Sequence, residues 1–240
     1  MSTDDHRIRT GPIAGAALAA GAYALYALPA LAGALPALRP PLGVEDRTAS
    51  GRGYALTFDD GPHARGTPAV LELLAAERIE ATFFLVGEQI RRNPALPREI
   101  ADAGHQIGLH CDRHRNLLRL GPRQVHEDLL RAEDTIATAT GRAPALYRPP
   151  YGVLNAAALR LAHAHGWRTL LWSHWGRDWE AQATAATIAA KVTDGAGAGA
   201  VLLLHDADDY SAPGSWQRTL AALPAVIETM RARGLDAVTA

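Results

Sequence analysis

Beyond Gly53 the chain alternates short apolar runs with longer amphipathic stretches, and few architectures are compatible with that rhythm. The runs Tyr54 to Phe58, Ala81 to Val86, Gln106 to Leu109, Thr169 to Trp172, Ala200 to Leu204 and Asp236 to Thr239 have the length and composition of strands. Helical periodicity fills the intervals, near Thr67 to Arg78, Glu88 to Ala103, Pro122 to Thr140, Ala156 to His165, Thr184 to Asp194 and Trp216 to Arg233. Strand and helix in succession predict an α/β domain with a parallel sheet and helical crossovers. Periodicity alone leaves open whether the sheet closes into a barrel. In either case functional side chains gather at the carboxyl ends of the strands. With 48% hydrophobic residues in 240, the chain can bury a sizeable core.

The N-terminal part is organised differently. Met1 to Thr10 is polar and carries Arg7 and Arg9, whereas Gly11 to Leu38 has no charged residue and is long enough to cross a bilayer. Pro29 and Pro36 would kink or end a helix there. Three readings fit: a signal anchor, a cleaved signal peptide followed by small residues such as Ala30-Leu31-Ala32, and an Ala-rich helix of a soluble protein. The expected organisation is an anchor or signal segment over residues 1–38, a Pro- and Gly-bearing linker over 39–52, and the main α/β domain over 53–240. A membrane-anchored or exported protein follows, with its main domain outside the cytoplasm.

Composition removes some classes of partner. Formal net charge is −1 and the basic residues are scattered, so no electrostatic footprint for nucleic acid is present. Cys111 is the only cysteine, which excludes an internal disulfide. The ten histidines are more informative, because imidazole is both a common metal ligand and the usual acid-base group near neutral pH.

Chemistry-bearing residues collect just after the apolar runs. Thr57-Phe58-Asp59-Asp60-Gly61-Pro62 ends a strand with two carboxylates and a turn. Adjacent like charges on one rim cost energy unless a cation or a proton separates them, so metal binding by one and proton transfer by the other would resolve the conflict. The plainer alternative is a turn with two solvated acids. His110-Cys111-Asp112-Arg113-His114 follows the next strand end, and two histidines four apart can chelate one ion or simply lie on the surface. Asp60, His110 and His114 together would supply one carboxylate and two imidazoles to a divalent ion, with zinc the first candidate and other divalent metals accepted.

Arg148-Pro149-Pro150-Tyr151-Gly152 must be a shaped loop, because two prolines remove donors and fix the backbone. Its Arg148 could pair with a buried carboxylate, and the Tyr151 backbone N–H could point at an oxyanion. Trp172 to Trp179 concentrates three of the five tryptophans, which suit sugar faces as well as they suit a core. Val201 to Asp206 is an apolar strand that delivers His205, a possible general acid, at its end.

In this order and with these gaps, the segments resemble the polysaccharide deacetylase family, the carbohydrate esterases of family 4 that share a NodB-type homology domain. The resemblance runs from about Gly53 to Ala240 and includes all five family motifs. It implies a distorted (β/α) barrel of roughly seven or eight units, preceded here by the apolar N-terminal segment. By similarity Asp59 is the general base, Asp60, His110 and His114 hold one divalent ion (Zn²⁺, with Co²⁺, Ni²⁺ or Mn²⁺ as alternatives), and the Tyr151 N–H helps bind the oxyanion. His205 is then the general acid, Asp178 orients it, Arg148 holds Asp59, and Trp179 and Leu203 line a small acetyl pocket. The implied reaction is removal of N-acetyl groups from an amino-sugar polymer such as peptidoglycan or a chitin-like glycan.

Some residues depart from the family pattern. Cys111 and Arg113 stand where small hydroxyl residues are usual, and Trp175 replaces an acid three residues before Asp178. Cys111 could be a soft extra ligand or a small buried residue. Asp206, Asp208, Asp209 and Tyr210 are expected on the rim, and His63, His105, His126, His163, His165 and His174 receive no role. A lipid-linked or small acylated sugar, an O-acetyl ester, and a non-catalytic glycan-binding module on the same fold are the competing readings.

Overall fold

The computed structural model describes residues 11–240. Arg7 and Arg9, part of the signal reading, lie outside the described residues. Eight strands form one sheet: β1 (Val44–Glu45), β2 (Tyr54–Asp59), β3 (Thr82–Val86), β4 (Gln106–Cys111), β5 (Leu146–Tyr147), β6 (Arg168–Leu170), β7 (His174–Trp175) and β8 (Ala200–His205). Their order is β1-β6-β5-β4-β3-β2-β8-β7, and each neighbouring pair is parallel. The sheet curls into a half-barrel with helices outside it, the architecture expected from the alternating pattern.

The helices are α1 (Gly11–Ala27), α2 (Leu31–Ala34), α3 (Gly66–Glu77), α4 (Gly87–Arg92), α5 (Leu96–Asp102), α6 (Pro122–Thr140), α7 (Ala156–His165), α8 (Ala185–Thr193) and α9 (Ser215–Ala232). Local chemistry sets several of their ends. The Asn155 side chain accepts the Ala158 N–H at the start of α7 (2.9 Å), and Gly166 closes that helix in the left-handed region. Pro122 opens α6 at a position where its missing N–H costs nothing.

Four sequence expectations are corrected. Glu88 to Ala103 is not one helix: Asn93 leaves helical geometry ahead of Pro94, and the segment divides into α4 and α5. Residues 39–52, read as a linker, contribute β1, whose Val44 and Glu45 pair with Thr169 and Leu170. Thr169 to Trp172 is not one strand, since β6 stops at Leu170 and the chain re-enters the sheet as β7. Asp236 to Thr239 makes a single bridge, Ala237 to Tyr54, because β3 joins β2 only from Thr57 onward and leaves a short free edge.

Strand alternation builds the interior in layers. Outward residues such as Leu56, Phe58, Phe83, Leu85, Leu109, Leu202 and Leu204 pack under the helices. Inward, Ala55, Phe84, Leu146, Leu170 and Val201 form a smaller apolar floor, closed by Ala240. Further along the same inward rows come Thr57 and Asp59 on β2, and Leu203 and His205 on β8. Register places Asp59 directly beside His205. The floor is tight at Gly108, where a Cβ would meet the Phe84 ring at 2.5 Å. Gly108→Ala is therefore expected to lose about 1–3 kcal/mol by overpacking. Urea denaturation with an unchanged m-value would show this, and wild-type stability would contradict the packing argument.

Candidate active site

Asp59 and Asp60 are neighbours in sequence yet occupy separate environments, because Asp60 takes a left-handed conformation with φ 76°. Asp carries that geometry more readily than most residues. Both carboxylates are buried, at 3% exposure each. Asp59 Oδ1 accepts a hydrogen bond from Arg148 Nη1 at 2.8 Å. The guanidinium is fully buried and also donates to Thr57 Oγ1 (2.8 Å), Leu170 O (3.0 Å) and Leu171 O (3.0 Å). The Phe84 ring faces it, with 4.0 Å from ring centroid to Cζ.

Asp60 turns toward imidazoles instead. Its Oδ1 lies 3.5 Å from His110 Nε2 and 3.3 Å from His114 Nε2, and Oδ2 lies 3.8 Å from His205 Nε2. Burial opposes its ionisation, but the surrounding imidazoles of His110, His205 and His114 outweigh burial and hold its pKa down to about 2. His110 Nδ1 meets the Arg148 carbonyl at 2.7 Å; with Nδ1 as the donor, Nε2 keeps its lone pair for the cluster. Burial pulls His114 down to about 4, so its ring is neutral near pH 7. Its ring stacks on Tyr210 at 4.5 Å.

These three residues fit a divalent ion. One ligand atom from each of Asp60, His110 and His114 lies within 4.8 Å of the others. Asp60 Oδ1 is buried with no hydrogen-bond partner among the described residues, a costly state unless a cation faces it. One carboxylate plus two imidazoles is a common donor set for catalytic zinc, and other divalent transition metals accept it.

His205 is tied down from behind. Its Nδ1 lies 3.0 Å from Asp178 Oδ1, and its backbone N–H donates to Asp178 Oδ2 at 2.7 Å. Thr219 Oγ1 donates to the same Oδ2 at 2.8 Å. Burial alone would lower His205, but the charge and hydrogen bond of Asp178, with Asp60 and Asp59 beyond, raise it to about 10. The ring is therefore an imidazolium at neutral pH, with Nε2–H facing the cavity side.

Tyr151 takes φ 60° between Pro150 and Gly152. Gly152 and Val153 donate back to Pro149 O (3.0 Å) and Pro150 O (3.1 Å), which fixes the turn that carries the Tyr151 N–H. Asp59, Asp60, His110, His114, Tyr151, Trp179, Leu203 and His205 all line one cavity of about 240 Å³. Arg148 and Asp178 stand behind its wall. Each sequence-predicted site residue is thus either in this cavity or in contact with a residue that is.

Several contributors carried no signal of their own. Thr57, Thr219 and Phe84 support the charged groups from behind; spacing on inward strand rows could have pointed to Thr57 and Phe84, but Thr219 lies on α9 and carried no such signal. Trp172, Trp175 and Trp179 form one wall, with successive ring centroids 5.9 Å and 5.4 Å apart. Trp175, which replaces an acid of the family pattern, thus belongs to the cavity wall. Cys111 sits on the opposite strand face from His110, fully buried, and is not part of the ligand cluster. Asp206 is corrected: it is not on the rim but buried against Gly61, hydrogen-bonded by Thr67. Two histidines without a functional role bond to backbone: Gly66 N–H donates to His63 Nδ1 (2.9 Å) and Ala81 N–H to His105 Nδ1 (3.1 Å).

A half-barrel of βα units that gathers paired carboxylates, a carboxylate-imidazole cluster and a carboxylate-backed histidine at its carboxyl rim defines a class of acid-base sites. The chain belongs to the polysaccharide deacetylase family, whose model matches residues 46–170. A peptidoglycan-N-acetylglucosamine deacetylase of Bacillus cereus is 35% identical over 188 residues, 77% of this chain and 84% of the relative. The Listeria monocytogenes peptidoglycan-N-acetylglucosamine deacetylase PgdA is 33% identical over 77% of this chain, which spans only 37% of that protein's length. The crystal structure of the Bc1960 peptidoglycan N-acetylglucosamine deacetylase superposes with a TM-score of 0.75 at 31% identity, covering 82% of this chain and 89% of that one.

The geometry predicts one Zn²⁺ per chain in calorimetric titration of the purified, metal-stripped protein. Asp60→Ala or His114→Ala should weaken binding at least about tenfold. Unaltered affinity in either variant would dissolve the proposed ligand set.

Proposed function

We propose that this protein is a metal-dependent hydrolase that removes N-acetyl groups from an amino-sugar glycan of the peptidoglycan or chitin type. The observation that carries the reading is the convergence of Asp59, His205 and the Asp60-His110-His114 cluster on one small cavity. Family membership and the named relatives support the substrate class. A divalent ion held by the cluster, zinc by first choice, would supply an acidified water and polarise the acetyl carbonyl.

The residues divide the remaining work. Asp59 is the base: Arg148 occupies Oδ1 and fixes the carboxylate, which leaves Oδ2 to take the proton of the attacking water. The Tyr151 N–H, held by its strained φ, is available to the developing oxyanion. His205 carries a proton on Nε2 for the leaving amine while Asp178 holds Nδ1–H and supports the positive charge. The reaction balances: water adds hydroxyl to the carbonyl carbon and gives one proton to Asp59, His205 protonates the nitrogen as the C–N bond breaks, acetic acid and the free amine depart, and return of the Asp59 proton to His205 restores both groups. Leu203 and Trp179 enclose the space for the methyl group, which disfavours bulkier acyl chains.

In organisation, the apolar N-terminal segment is read as a membrane anchor of an extracytoplasmic catalytic unit. Gly15–Ala34 has the length and hydropathy to cross a bilayer, with only 11% of that window buried.

Asp59→Asn is expected to lower kcat by about 10²–10⁴ with Zn²⁺ affinity retained. Mass spectrometry of N-acetylchitooligosaccharide and peptidoglycan-fragment products should show loss of an acetyl group and gain of a free amine. A near-normal rate in this variant would overturn the base assignment, and an enzyme indifferent to chelation would overturn the metal.

A further inference from the structure

The two imidazoles of the Asp60-His110-His114 cluster are oriented by different means. His110 Nδ1 meets the Arg148 carbonyl at 2.7 Å, so a main-chain acceptor fixes its ring and turns Nε2 toward the cluster. His114 has no such support. Its side chain is only 6% exposed, yet its Nδ1 has no hydrogen-bond partner among the described residues. A ligand imidazole normally gives its second nitrogen to an acceptor, and a ring without one keeps its rotational freedom unless packing removes it.

Packing removes it here. Tyr210 lies over the His114 ring, with centroids 4.5 Å apart and planes 18° from parallel. Tyr151 meets the same ring in a T-shaped contact, at 4.6 Å and 64°. Tyr210 is itself held, since its Oη donates to Glu88 Oε1 at 2.6 Å and accepts from Gln89 Nε2 at 3.1 Å. Both partners belong to α4, and α4 also holds the loop on the other side of the stack. Glu88 N–H donates to Asp112 O at 2.9 Å, and Arg91 Nη1 donates to Asp112 Oδ1 at 2.6 Å. One helix therefore fixes both the loop that carries His114 and the phenol that covers it. An aromatic face also attracts an imidazole more strongly once a bound cation draws charge from the ring, so the stack favours the metal-loaded state.

We propose that Tyr210 is a positioning residue for metal binding: stacked on His114 and tied to α4, it holds the ring plane that a hydrogen bond holds at His110. The proposal rests on the ligand set assigned above and adds a residue outside it. Without the stack all three ligands remain, but one of them is free to turn, and the metal binds more weakly. The acidic loop that contains Asp208, Asp209 and Tyr210 thereby acts on the site through its aromatic member.

The test is Zn²⁺ affinity, measured by competition with a chromophoric chelator on the metal-stripped full chain. Tyr210→Ala should weaken binding about tenfold or more, and Tyr210→Leu, which keeps bulk without an aromatic face, should do the same. Tyr210→Phe keeps the ring and loses only the hydroxyl contacts, so it should stay within about threefold of wild type. Asp208→Ala is the control for loop order, because Asp208 Oδ2 accepts the Gly214 N–H at 2.6 Å and Oδ1 lies 3.6 Å from His63 Nε2. The same variant breaks the His63-Asp208-Asp209 group, a second place where a cation could sit. Its Zn²⁺ affinity should stay within about twofold of wild type. Thermal unfolding of the metal-free variants checks that each folds. Wild-type affinity in a folded Tyr210→Ala or Tyr210→Leu overturns the proposal, as does a loss in Tyr210→Phe or Asp208→Ala equal to that in Tyr210→Ala. In each of those cases the ligand set stands. A wild-type chain that binds no Zn²⁺ removes the ligand set, and the role of Tyr210 with it.

Discussion

Arg148 is a guanidinium taken wholly out of water, and much of the site exists because its needs are met there. Removing a partner from such a buried charge typically costs about 3–5 kcal/mol, so its surroundings are held to one arrangement. Its donors reach β2 through Thr57 and Asp59 and the end of β6 through the carbonyls of Leu170 and Leu171. Those strands lie far apart in the sheet order, so the bonds cross the interior of the curled sheet. The main chain of the same residue accepts from His110. One residue therefore fixes the carboxylate read as the base and one imidazole of the ligand cluster. Displacing Arg148 would disturb both halves of the chemistry together.

The ionisable groups in the cavity are pushed in opposite directions by named neighbours. His205 rises to about 10 because Asp178 sits on its far nitrogen, whereas His114 falls to about 4 because burial dominates and no carboxylate backs its Nδ1. Two imidazoles in one cavity are thus pushed to opposite protonation states, which matches the different tasks proposed for them. Asp59 and Asp60 show the same division among carboxylates. A guanidinium accompanies the first and imidazoles surround the second, and the left-handed turn at Asp60 makes the separation possible.

Much of this was legible in the sequence. The ends of α6 and α7 agree with Pro122 to Thr140 and Ala156 to His165, because Pro at the start of α6, the Asn155 cap of α7 and Gly at the end of each are local signals that need no tertiary context. The site residues were legible because acids and histidines directly after apolar runs are conspicuous. The two-residue strands β1, β5 and β7 were not, since a pair of residues carries no period and is a strand only through its partners. Asp206 was misplaced for a related reason: alternation at a strand end does not reveal that the next turn folds back over Gly61. Thr57, Thr219 and Phe84 look like ordinary strand or helix residues until the fold puts a charge against them.

The N-terminal segment shows where sequence and structure carry different information. Hydropathy identifies a stretch that can enter a bilayer, but it is indifferent to whether that stretch swings free or is fixed. Fixation comes from polar groups that hydropathy averages away: two tyrosine hydroxyls at the foot of α1, and Arg39, which ties the carbonyls of Ala32 and Gly33 in α2 to the main chain at Trp172. Small residues make the docking close, since Gly33 meets Gly152 with no room for a side chain. The result couples the position of the apolar segment to the backbone that aims the Tyr151 N–H.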